Sequence, residues 1–544
     1  MRPFLTLHHP EQARAYYQAG LWRADTFSSL LARHAARQPT AIALQDGRRA
    51  LSWAELIAWV DAAGADLAGR GLVGGDRVSI WMSNRAEVIV TFLACARQGF
   101  ACNPSLHRSH TWTDVVKLLQ RLQARALISE RGWGDSWTAE DCAGATAAIP
   151  SLRAVIDLDG FPGAGATSSA PSMSAPGTDP DRIVYLAFTS GTTGTPKCVM
   201  HSHNTLLANA RDLVADWGHG PDTVLLSLSP LSHHIAWVGV AQWLVAGCRF
   251  VCNDPPPGSA VLDWIIDSGA TYVMGVPTHA MDVLAAQRAR SLRQLGRVSV
   301  FYMAGAPIAP SLAAAFVAQG IRPQNVYGMT ENSSHQYTHP GDATPTIVGS
   351  CGRGGAAYQV RLFNPADRDR PVVAGEVGEI GGRGPALMLG YFDNQGATED
   401  SFNAEGWFMS GDLGSLDGAG NLKVEGRLKD LIIRGGHNIY PAHIEALALR
   451  HPAVERVACF PLADDRLGER VCLAVTGAAA PHALIEHLGR EGLSKYDMPE
   501  YFVRLEQFPL TASGKILKRE LIDMVKRGEL APEPIREQAK KGKL

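Results

Sequence analysis

The sequence predicts an α/β protein that contains parallel β-sheets and more than one domain. Short β-branched runs alternate with alanine-rich helical patterns, for example residues 78–81, then 86–99, then 126–129. Such alternation is typical of βαβ units, whose strands are parallel. The chain has 544 residues, which is too long for one hydrophobic core. The composition changes after Gly426, and the chain from Asp430 onward has the pattern of a small α/β module.

Three further segments follow in chain order. Residues 161–180 are rich in Gly, Ala, Ser and Pro and have little to bury, which predicts a flexible connection. Residues 183–186 are a short apolar run that predicts a strand leading into a polar loop. Residues 235–247 form the longest apolar stretch, but they are too few to span a bilayer and include Gln242, so we expect a buried helix.

The overall composition is that of an ordinary globular protein. Hydrophobic residues make up 46% and charged residues 19%, and 51 Lys and Arg against 53 Asp and Glu give a net charge of -2. This balance predicts no nucleic-acid partner. The N-terminal residues lack the pattern of a signal peptide, and we expect no membrane insertion. Nine scattered cysteines without a C-x-x-C pair favour a reducing, cytoplasmic location over a disulfide scaffold or a zinc site.

Residues 187–203 concentrate hydroxyl groups and glycines beside one lysine, directly after the strand predicted at 183–186. Glycines let the backbone approach an anion, hydroxyls donate hydrogen bonds, and a lysine adds positive charge. These groups are Thr189, Ser190, Gly191, Thr192, Thr193, Gly194 and Lys197. Their spacing differs from that of the P-loop, which excludes a Walker-type kinase or GTPase. The segment predicts a nucleoside triphosphate site, and a polar surface turn is the alternative.

Five ordered motifs, this loop included, resemble those of the adenylate-forming superfamily. That superfamily contains acyl- and aryl-CoA synthetases, the adenylation domains of peptide synthetases, and firefly luciferase. The other four motifs are Val-Tyr-Gly-Met-Thr-Glu at 326–331, Gly-Trp-Phe-Met-Ser-Gly-Asp at 406–412, Gly-Arg-Leu-Lys-Asp at 426–430 followed by Arg-Gly-Gly-His-Asn-Ile-Tyr-Pro at 434–441, and Leu-Thr-Ala-Ser-Gly-Lys-Ile at 510–516. The resemblance runs from about residue 25 to about residue 525. Within this superfamily, the sequence most resembles acyl-CoA ligases that activate a cyclic or medium-chain acid, such as cyclohexanecarboxylate-CoA ligases.

The resemblance implies a two-part architecture. A large N-terminal region, residues 1–428, would consist of β-sheet subdomains flanked by helices and would bind ATP and the acid. Residues 429–544 would form a small mobile C-terminal α/β lid that turns about a hinge at Lys429.

The resemblance also implies an acid-thiol ligase that uses ATP, Mg²⁺ and CoA. The carboxylate first attacks the α-phosphorus of ATP and expels pyrophosphate, and a thiol then takes the acyl group from the adenylate. The residues implied at the nucleotide are Lys197 and the loop hydroxyls for the outer phosphates, Glu331 for Mg²⁺, Thr330 for the α-phosphate, Tyr327 and Gly328 for adenine, and Asp412 and Arg427 for the ribose. These residue types, mainly cations and hydrogen-bond donors, suit a reaction in which negative charge accumulates on the phosphates.

Lys515 is the catalytic residue with the largest implied effect. By resemblance it bridges the attacking carboxylate and the α-phosphate, although a lysine is otherwise most often a solvated surface residue. For the second step the lid would rotate about Lys429, withdraw Lys515, and bring Gly435 and Gly436 to the thiol channel. The glycine pair has an alternative interpretation as a plain turn between strands.

The acyl site is implied by two further segments. His233 belongs to a Pro-Leu-x-His segment that resembles the family's acyl-pocket motif, and it is a catalytic candidate. The candidates for the acid-binding wall are His234, Trp237, Tyr302, Met303, Ala304 and Gly305. Their character predicts a compact apolar cavity for cyclohexanecarboxylate, an aromatic acid or a medium-chain acid, in that order. These segments contain no acidic residue to pair with an α-ammonium group, which disfavours amino acids.

Three positions depart from the family pattern. Cys198 replaces a usual glycine, Ser410 a usual threonine, and His443 a usual glutamate. None of them removes a group that the chemistry needs. Two alternatives to a CoA ligase remain open at this stage: an enzyme that loads an acid onto a carrier protein, and a catalytically silent relative that binds an acyl group or a nucleotide.

Overall fold

The computed structural model describes residues 10–134, 144–145, 149–166, 178–189, 196–355, 358–373, 375–510 and 516–535. In this part of the chain, strands of four β-sheets alternate with helices, which confirms the predicted α/β class.

The strands of the described residues are short and are numbered in chain order. They are β1 (Ile42–Gln45), β2 (Ala50–Ser52), β3 (Arg77–Trp81), β4 (Ala101–Asn103), β5 (Ala126–Ser129), β6 (Ala154–Asp157), β7 (Ile183–Thr189), β8 (Lys197–Ser202), β9 (Val224–Ser227), β10 (Arg249–Cys252), β11 (Tyr272–Gly275), β12 (Val300–Ala304), β13 (Arg322–Met329), β14 (Ser333–Tyr337), β15 (Gln359–Asn364), β16 (Asp367–Pro371), β17 (Gly378–Arg383), β18 (Phe408–Leu416), β19 (Leu422–Arg427), β20 (Ile432–Arg434), β21 (His437–Ile439), β22 (Arg456–Asp464), β23 (Gly468–Thr476), β24 (Tyr501–Arg504) and β25 (Glu533–Pro534).

The α-helices of the same residues connect these strands. They are α1 (Pro10–Gln18), α2 (Phe27–Arg37), α3 (Trp53–Gly69), α4 (Ala86–Gln98), α5 (Trp112–Leu122), α6 (His203–Trp217), α7 (His234–Ala246), α8 (Val261–Asp267), α9 (Pro277–Ala289), α10 (Pro310–Val317), α11 (Thr344–Gly349), α12 (Gln395–Glu399), α13 (Pro441–Ala448), α14 (Pro481–Arg490) and α15 (Lys518–Lys526). Short 3₁₀ helices lie at Leu158–Gly160 and Leu428–Asp430.

Two mainly parallel sheets make up most of the N-terminal region. One has the strand order β14-β13-β12-β11-β9-β10-β1-β2 and the other β6-β5-β3-β4-β7-β8. In each sheet the antiparallel pairs lie at an edge, β13–β14 and β1–β2 in the first and β7–β8 in the second. The phosphate-loop segment therefore connects the last two strands at one edge of the second sheet, β7 and the edge strand β8.

Helices α3, α4, α6 and α7 contribute to one hydrophobic core together with strands of both parallel sheets. The local sequence explains where these helices and the neighbouring α5 begin and end. Ser52, Thr111 and Ser202 cap the starts of α3, α5 and α6 with their hydroxyl oxygens. Gly99 and Gly247 end α4 and α7 in the left-handed region that favours glycine. The apolar stretch 235–247 is thus a buried helix, as predicted.

A five-stranded antiparallel sheet, β16-β15-β17-β18-β19, follows β14 of the first parallel sheet in the chain. The last sheet has the order β21-β20-β23-β24-β25, with β22 beside β23. The change of sheet falls between Arg427 and Ile432, at the predicted hinge. Strand β19 packs against α13 of the C-terminal region.

The predicted flexible connection at 161–180 begins with an anchored segment. Phe161 is 7% exposed, and the indole N–H of Trp59 donates to the carbonyl of Pro162 at 2.5 Å. Residues 167–177 lie outside the described part of the chain. Among the helices given above, none combines the length and the apolar character that crossing a bilayer requires.

Candidate active site

The hairpin of β7 and β8 fixes both ends of the phosphate-loop segment. Thr189 and Lys197 face each other as the last paired residues of the two strands, and the Thr189 hydroxyl donates to the carbonyl of Lys197 at 3.4 Å. The loop candidates between them, Ser190, Gly191, Thr192, Thr193 and Gly194, lie outside the described residues. The structure thus locates the two ends of the candidate phosphate site.

Glu331 lies in the turn between β13 and β14, close to Lys197. Its side chain is buried, with the residue 9% exposed, and the hydroxyl of Tyr391 donates to its Oε1 at 2.9 Å. The Lys197 ammonium lies 4.6 Å from the centroid of the Tyr391 ring. Burial raises the pKa of Glu331, while the Tyr391 hydroxyl and the charges of Lys197 and Arg427 oppose that rise. The structure therefore brings together the implied metal ligand and the implied phosphate-binding lysine.

Thr330, next to Glu331, is held through its backbone. The Nε2 of His201 lies 2.6 Å from the Thr330 carbonyl oxygen, and its Nδ1 lies 3.0 Å from the Thr205 hydroxyl. A carbonyl can only accept, so the ring proton is on Nε2. Burial lowers the pKa of His201 to about 4, which keeps the ring neutral at pH 7.

The implied ribose and adenine residues form a second cluster. Asp412 on β18 and Arg427 on β19 are register partners, with the Arg427 Nε 3.0 Å from Asp412 Oδ1. The hydroxyl of Tyr327 donates to Asp412 Oδ2 at 2.9 Å. A Cβ on Gly328 would lie 1.7 Å from the carbonyl oxygen of Ser333, so the close β13–β14 pairing requires glycine there. The structure therefore brings these four residues together, and their roles at the nucleotide stay predictions.

The two adjacent histidines at the start of α7 have different surroundings. The His234 Nε2 lies 3.0 Å from the Ser333 hydroxyl and its Nδ1 3.3 Å from the Tyr185 hydroxyl, so His234 contacts the β13–β14 edge. Burial lowers the pKa of His234 well below its usual value. The His233 ring instead stacks on His107, with 4.3 Å between the ring centroids.

The candidates for the acyl wall divide between two faces of the sheet. Tyr302 and Ala304 belong to the core that includes α7, and the Tyr302 hydroxyl lies 2.6 Å from that of Ser334. Met303 packs in the core on the other side of β12, a position that counts against its predicted role as a wall residue. Gly305 is exposed at the end of β12 with φ +87°. Trp237 is 1% exposed, and its ring packs against that of Phe92 at a centroid distance of 4.5 Å.

Comparison with known proteins decides the family. The model of the AMP-binding enzyme family matches residues 31–392, which is more than half of the chain. The model of the AMP-binding enzyme C-terminal domain matches residues 443–515. The chain belongs to the AMP-binding enzymes.

Similar proteins cover almost the whole of this AMP-binding enzyme. The medium-chain fatty-acid–CoA ligase of Escherichia coli K12 is 30% identical over 94% of this chain and 93% of that protein. The salicyl-AMP ligase / salicyl-S-ArCP synthetase of Mycobacterium tuberculosis is 32% identical over 94% of this chain and 93% of that protein. The crystal structure of ATP-bound MatB from Rhodopseudomonas palustris superposes with a TM-score of 0.80 at 25% identity and covers 92% of this chain and 99% of that chain.

The lid candidates of this AMP-binding enzyme are described only in part. Lys429 is exposed in the 3₁₀ helix Leu428–Asp430. Gly435 and Gly436 form a two-residue turn between β20 and β21, with φ +59° and +85°. Because both angles lie in the left-handed region, the turn itself favours glycine at both positions. Lys515 lies outside the described residues, and its catalytic role stays a prediction.

Three departures from the family pattern are tolerated by the fold. Cys198 is buried on β8 and its carbonyl accepts from Phe392 at 2.7 Å. The Ser410 hydroxyl accepts from the backbone N–H of Asp412 at 3.1 Å, and His443 is exposed on α13. Sequence reasoning missed His201 and Tyr391. Nothing local distinguishes His201 from other buried histidines. For Tyr391 the one signal was its position in a Gly-Tyr-Phe segment after an apolar run.

Proposed function

We propose that this chain is an ATP-dependent carboxylic acid:CoA ligase that works through an acyl-adenylate. One observation carries the proposal: in a member of the AMP-binding enzymes, Tyr327 on β13 binds Asp412, and Glu331 in the turn after β13 lies within the charge influence of both Lys197 and Arg427. The Asp412 cluster supplies acceptors for ribose hydroxyls, and the Glu331–Lys197 cluster supplies charges that suit a polyphosphate.

In the first step a carboxylate oxygen of the acid attacks the α-phosphorus of ATP. A new P–O bond forms, the bond to the bridging oxygen breaks, and its electron pair leaves with pyrophosphate. Lys197 neutralises charge on the outer phosphates, and Asp412 and Arg427 fix the ribose. Lys515 would orient the attacking oxygen and offset its charge. Positioning and electrostatic stabilisation supply most of the rate in such transfers.

The residues present also suit Mg²⁺. Within the described part of the chain, no group of three or more His, Cys, Asp or Glu side chains could hold a metal. Mg²⁺ needs no such group, because it is usually bound by one or two carboxylates together with substrate phosphates. Glu331, buried beside Lys197, would be that carboxylate, and the bound ion would neutralise phosphate charge.

In the second step the sulfur of CoA attacks the adenylate carbonyl. The C–S bond forms, the C–O bond to AMP breaks and its electron pair leaves with AMP, and the thiol proton passes to water. We propose that rotation about Lys429 withdraws Lys515 before this step. The turn of Gly435 and Gly436 would then line the thiol channel, where two residues without side chains permit a close approach.

For the acid we favour cyclohexanecarboxylate, an aromatic acid or a medium-chain acid. The support is the aromatic and uncharged surroundings of His234 and Tyr302, which lie in a core of apolar side chains. The relatives named above include a medium-chain fatty-acid ligase and a salicyl-AMP ligase. Their substrates fall within the proposed range.

A second candidate function is the loading of an acid onto a carrier protein. A specific observation favours it, since a relative at 32% identity is named as a salicyl-S-ArCP synthetase. The adenylation step would be the same, and only the thiol acceptor would differ.

The test is pyrophosphate release from ATP and Mg²⁺ over a panel of alicyclic, aromatic, linear and amino acids, each with and without CoA. Turnover that requires CoA and peaks on one acid supports the CoA ligase and identifies its substrate. Release that stops near one equivalent per enzyme with or without CoA supports a carrier-protein acceptor. No release with any acid would contradict both and favour a protein that only binds.

A further inference from the structure

Tyr391 lies between the two charged groups of the phosphate site. Its hydroxyl donates to Glu331 Oε1 at 2.9 Å, and the Lys197 ammonium lies 4.6 Å from its ring centroid. Tyr391 itself is 5% exposed. One side chain therefore contacts the implied metal ligand through its hydroxyl and the implied phosphate ligand through its ring.

The backbone around Tyr391 is tied to the strand that begins with Lys197. Residues 389–392 run along β8 as an additional edge segment. Its hydrogen bonds are Leu389 N–H to the Met200 carbonyl at 2.9 Å, Met200 N–H to the Gly390 carbonyl at 3.0 Å, and Phe392 N–H to the Cys198 carbonyl at 2.7 Å. The N–H of Tyr391 donates to the Thr398 hydroxyl oxygen at 2.9 Å. The position of the ring is thus set by β8.

The same segment is tied to the turn that carries Glu331. The N–H of Met388 donates to the Glu331 carbonyl at 2.7 Å. Glu331 is consequently held twice, by its backbone through Met388 and by its carboxylate through Tyr391. A buried carboxylate that accepts one fixed hydrogen bond loses rotational freedom and presents its remaining lone pairs in a defined direction.

We propose that Tyr391 is a positioning residue for the phosphate site: its hydroxyl orients the Glu331 carboxylate for Mg²⁺, and its ring supports Lys197 beside the phosphates. The inference rests on the proposed function, since it assumes that Glu331 and Lys197 serve a magnesium nucleotide. The two contacts act separately. Removing the hydroxyl affects the magnesium-dependent part of nucleotide binding, and removing the ring affects the magnesium-independent part as well.

The test measures binding of the α,β-methylene analogue of ATP by calorimetry, once in EDTA and once in excess Mg²⁺. Tyr391→Phe keeps the ring and loses the hydroxyl. We expect it to bind like the parent in EDTA and about tenfold more weakly than the parent in Mg²⁺, the size typical of one hydrogen bond to a charged group. Tyr391→Leu, which also loses the ring, should bind more weakly in both conditions.

Tyr337→Phe is the matched control. Tyr337 is buried like Tyr391 and donates to a carboxylate, Asp216 Oδ2 at 2.7 Å, but that carboxylate belongs to α6. Its variant should bind the analogue like the parent in both conditions. Thermal unfolding midpoints of the two Phe variants report whether a buried phenol oxygen can be removed without loss of the fold.

Glu331→Gln provides the coupling test. If Tyr391 acts through Glu331, the Tyr391→Phe change should have no further effect on magnesium-dependent binding in the Glu331→Gln background. The proposal would be overturned if Mg²⁺ strengthened analogue binding as much in Tyr391→Phe as in the parent. It would also be overturned if Tyr337→Phe lost as much affinity in Mg²⁺ as Tyr391→Phe, or if the losses of affinity added in the double variant. A parent protein that does not bind the analogue at all would instead refute the proposed function.

Discussion

Among single residues, Asp412 uses both carboxylate oxygens in contacts within the proposed nucleotide cluster. Its Oδ2 accepts from Tyr327 at 2.9 Å and its Oδ1 lies 3.0 Å from the Arg427 Nε. We expect Asp412→Asn to raise the KM for ATP about 10- to 100-fold. The amide has the same shape but lacks the charge that pairs with Arg427 and one of the acceptor oxygens. The measurement is the ATP dependence of acid-dependent pyrophosphate release.

Asp417→Asn is the control for this change. Asp417 lies beyond the end of the same strand and accepts from the backbone N–H groups of Ala419 and Asn421, both at 2.9 Å or less. Its variant should keep the KM for ATP. An Asp412→Asn enzyme with the parent's KM would contradict the assignment of Asp412 to the ribose.

Lys515 is the other residue whose loss has a specific expected pattern. We expect Lys515→Ala to reduce adenylate formation by about 10²- to 10³-fold, because a preorganised charge at the reacting atoms is lost. Thioester formation from supplied acyl-AMP should stay within a few-fold of the parent. The two half-reactions are measured separately, with Lys526→Ala, a change of a mostly exposed lysine, as control. Equal losses in both half-reactions would argue against the moving lid.

The sequence identified the residues that lie in ordered motifs and missed those that act through long-range contacts. Asp412 and Arg427 stand in separate motifs, and the structure pairs them on neighbouring strands. Tyr391 is 60 residues from Glu331 and far in sequence from Lys197. It joins them only because its segment runs along β8, and such a pairing has no local periodic signal.

At the level of elements, local patterns located strands and helices well. The runs predicted at 78–81 and 126–129 are β3 and β5 in the structure, and they pair in parallel. The helix predicted at 86–99 is α4, which ends at Gln98 before the left-handed Gly99. The faces of a buried strand were harder to assign. Strand β12 is covered on both sides, so Tyr302 and Met303 look equally apolar in sequence although they enter different cores.

The β20–β21 turn is an element whose structural and functional roles can be separated. Gly436 has φ +85° and no atom within 4 Å of an added Cβ. We expect Gly436→Phe to leave adenylate formation near the parent rate and to slow thioester formation at least about tenfold. The reason is that the phenyl group would enter the proposed thiol channel. The two half-reactions are again timed separately.

Gly420 supplies the matched control for backbone strain. It lies in the turn between β18 and β19 with φ +81°, and it too has no atom within 4 Å of an added Cβ. Gly420→Phe carries the same conformational cost without a predicted contact to the thiol. If both variants slow thioester formation equally, or neither does, Gly435 and Gly436 are only a turn.

At the scale of the whole molecule, buried neutral histidines couple stability to pH. Burial lowers the pKa of His203 and His335 to about 3 and that of His201 to about 4. In the unfolded chain a histidine has a pKa of about 6.5. As the pH falls below that value, these histidines bind protons in the unfolded state but not in the folded state. The contribution that they make to the unfolding free energy above pH 6.5 is therefore lost. Asp212 opposes this trend, because burial and Asp216 raise its pKa to about 6.

His335 isolates one such contribution, since burial is the only cause of its shift. It is 1% exposed, and its ring stacks on Tyr358 at a centroid distance of 4.0 Å. Between pH 8 and pH 5 the parent should lose about 2 kcal/mol of unfolding free energy through this residue. His335→Phe keeps a flat ring in the stack but cannot bind a proton, so its own loss over the same range should be smaller by that amount.

Urea unfolding of both proteins at pH 8 and pH 5 measures this difference. For each protein, the unfolding free energy at pH 5 is subtracted from that at pH 8, which removes any pH-independent destabilisation by the larger Phe ring. The other titrating groups, Asp212 included, are common to both proteins. A loss in His335→Phe as large as that of the parent would mean that His335 is protonated in the folded state. A smaller loss in His335→Phe would mean that His335 is neutral in the folded state. The His335 ring lies 5.4 Å from the Tyr327 ring between centroids, so acid unfolding driven by this histidine would also remove the support of the proposed adenine-binding residue.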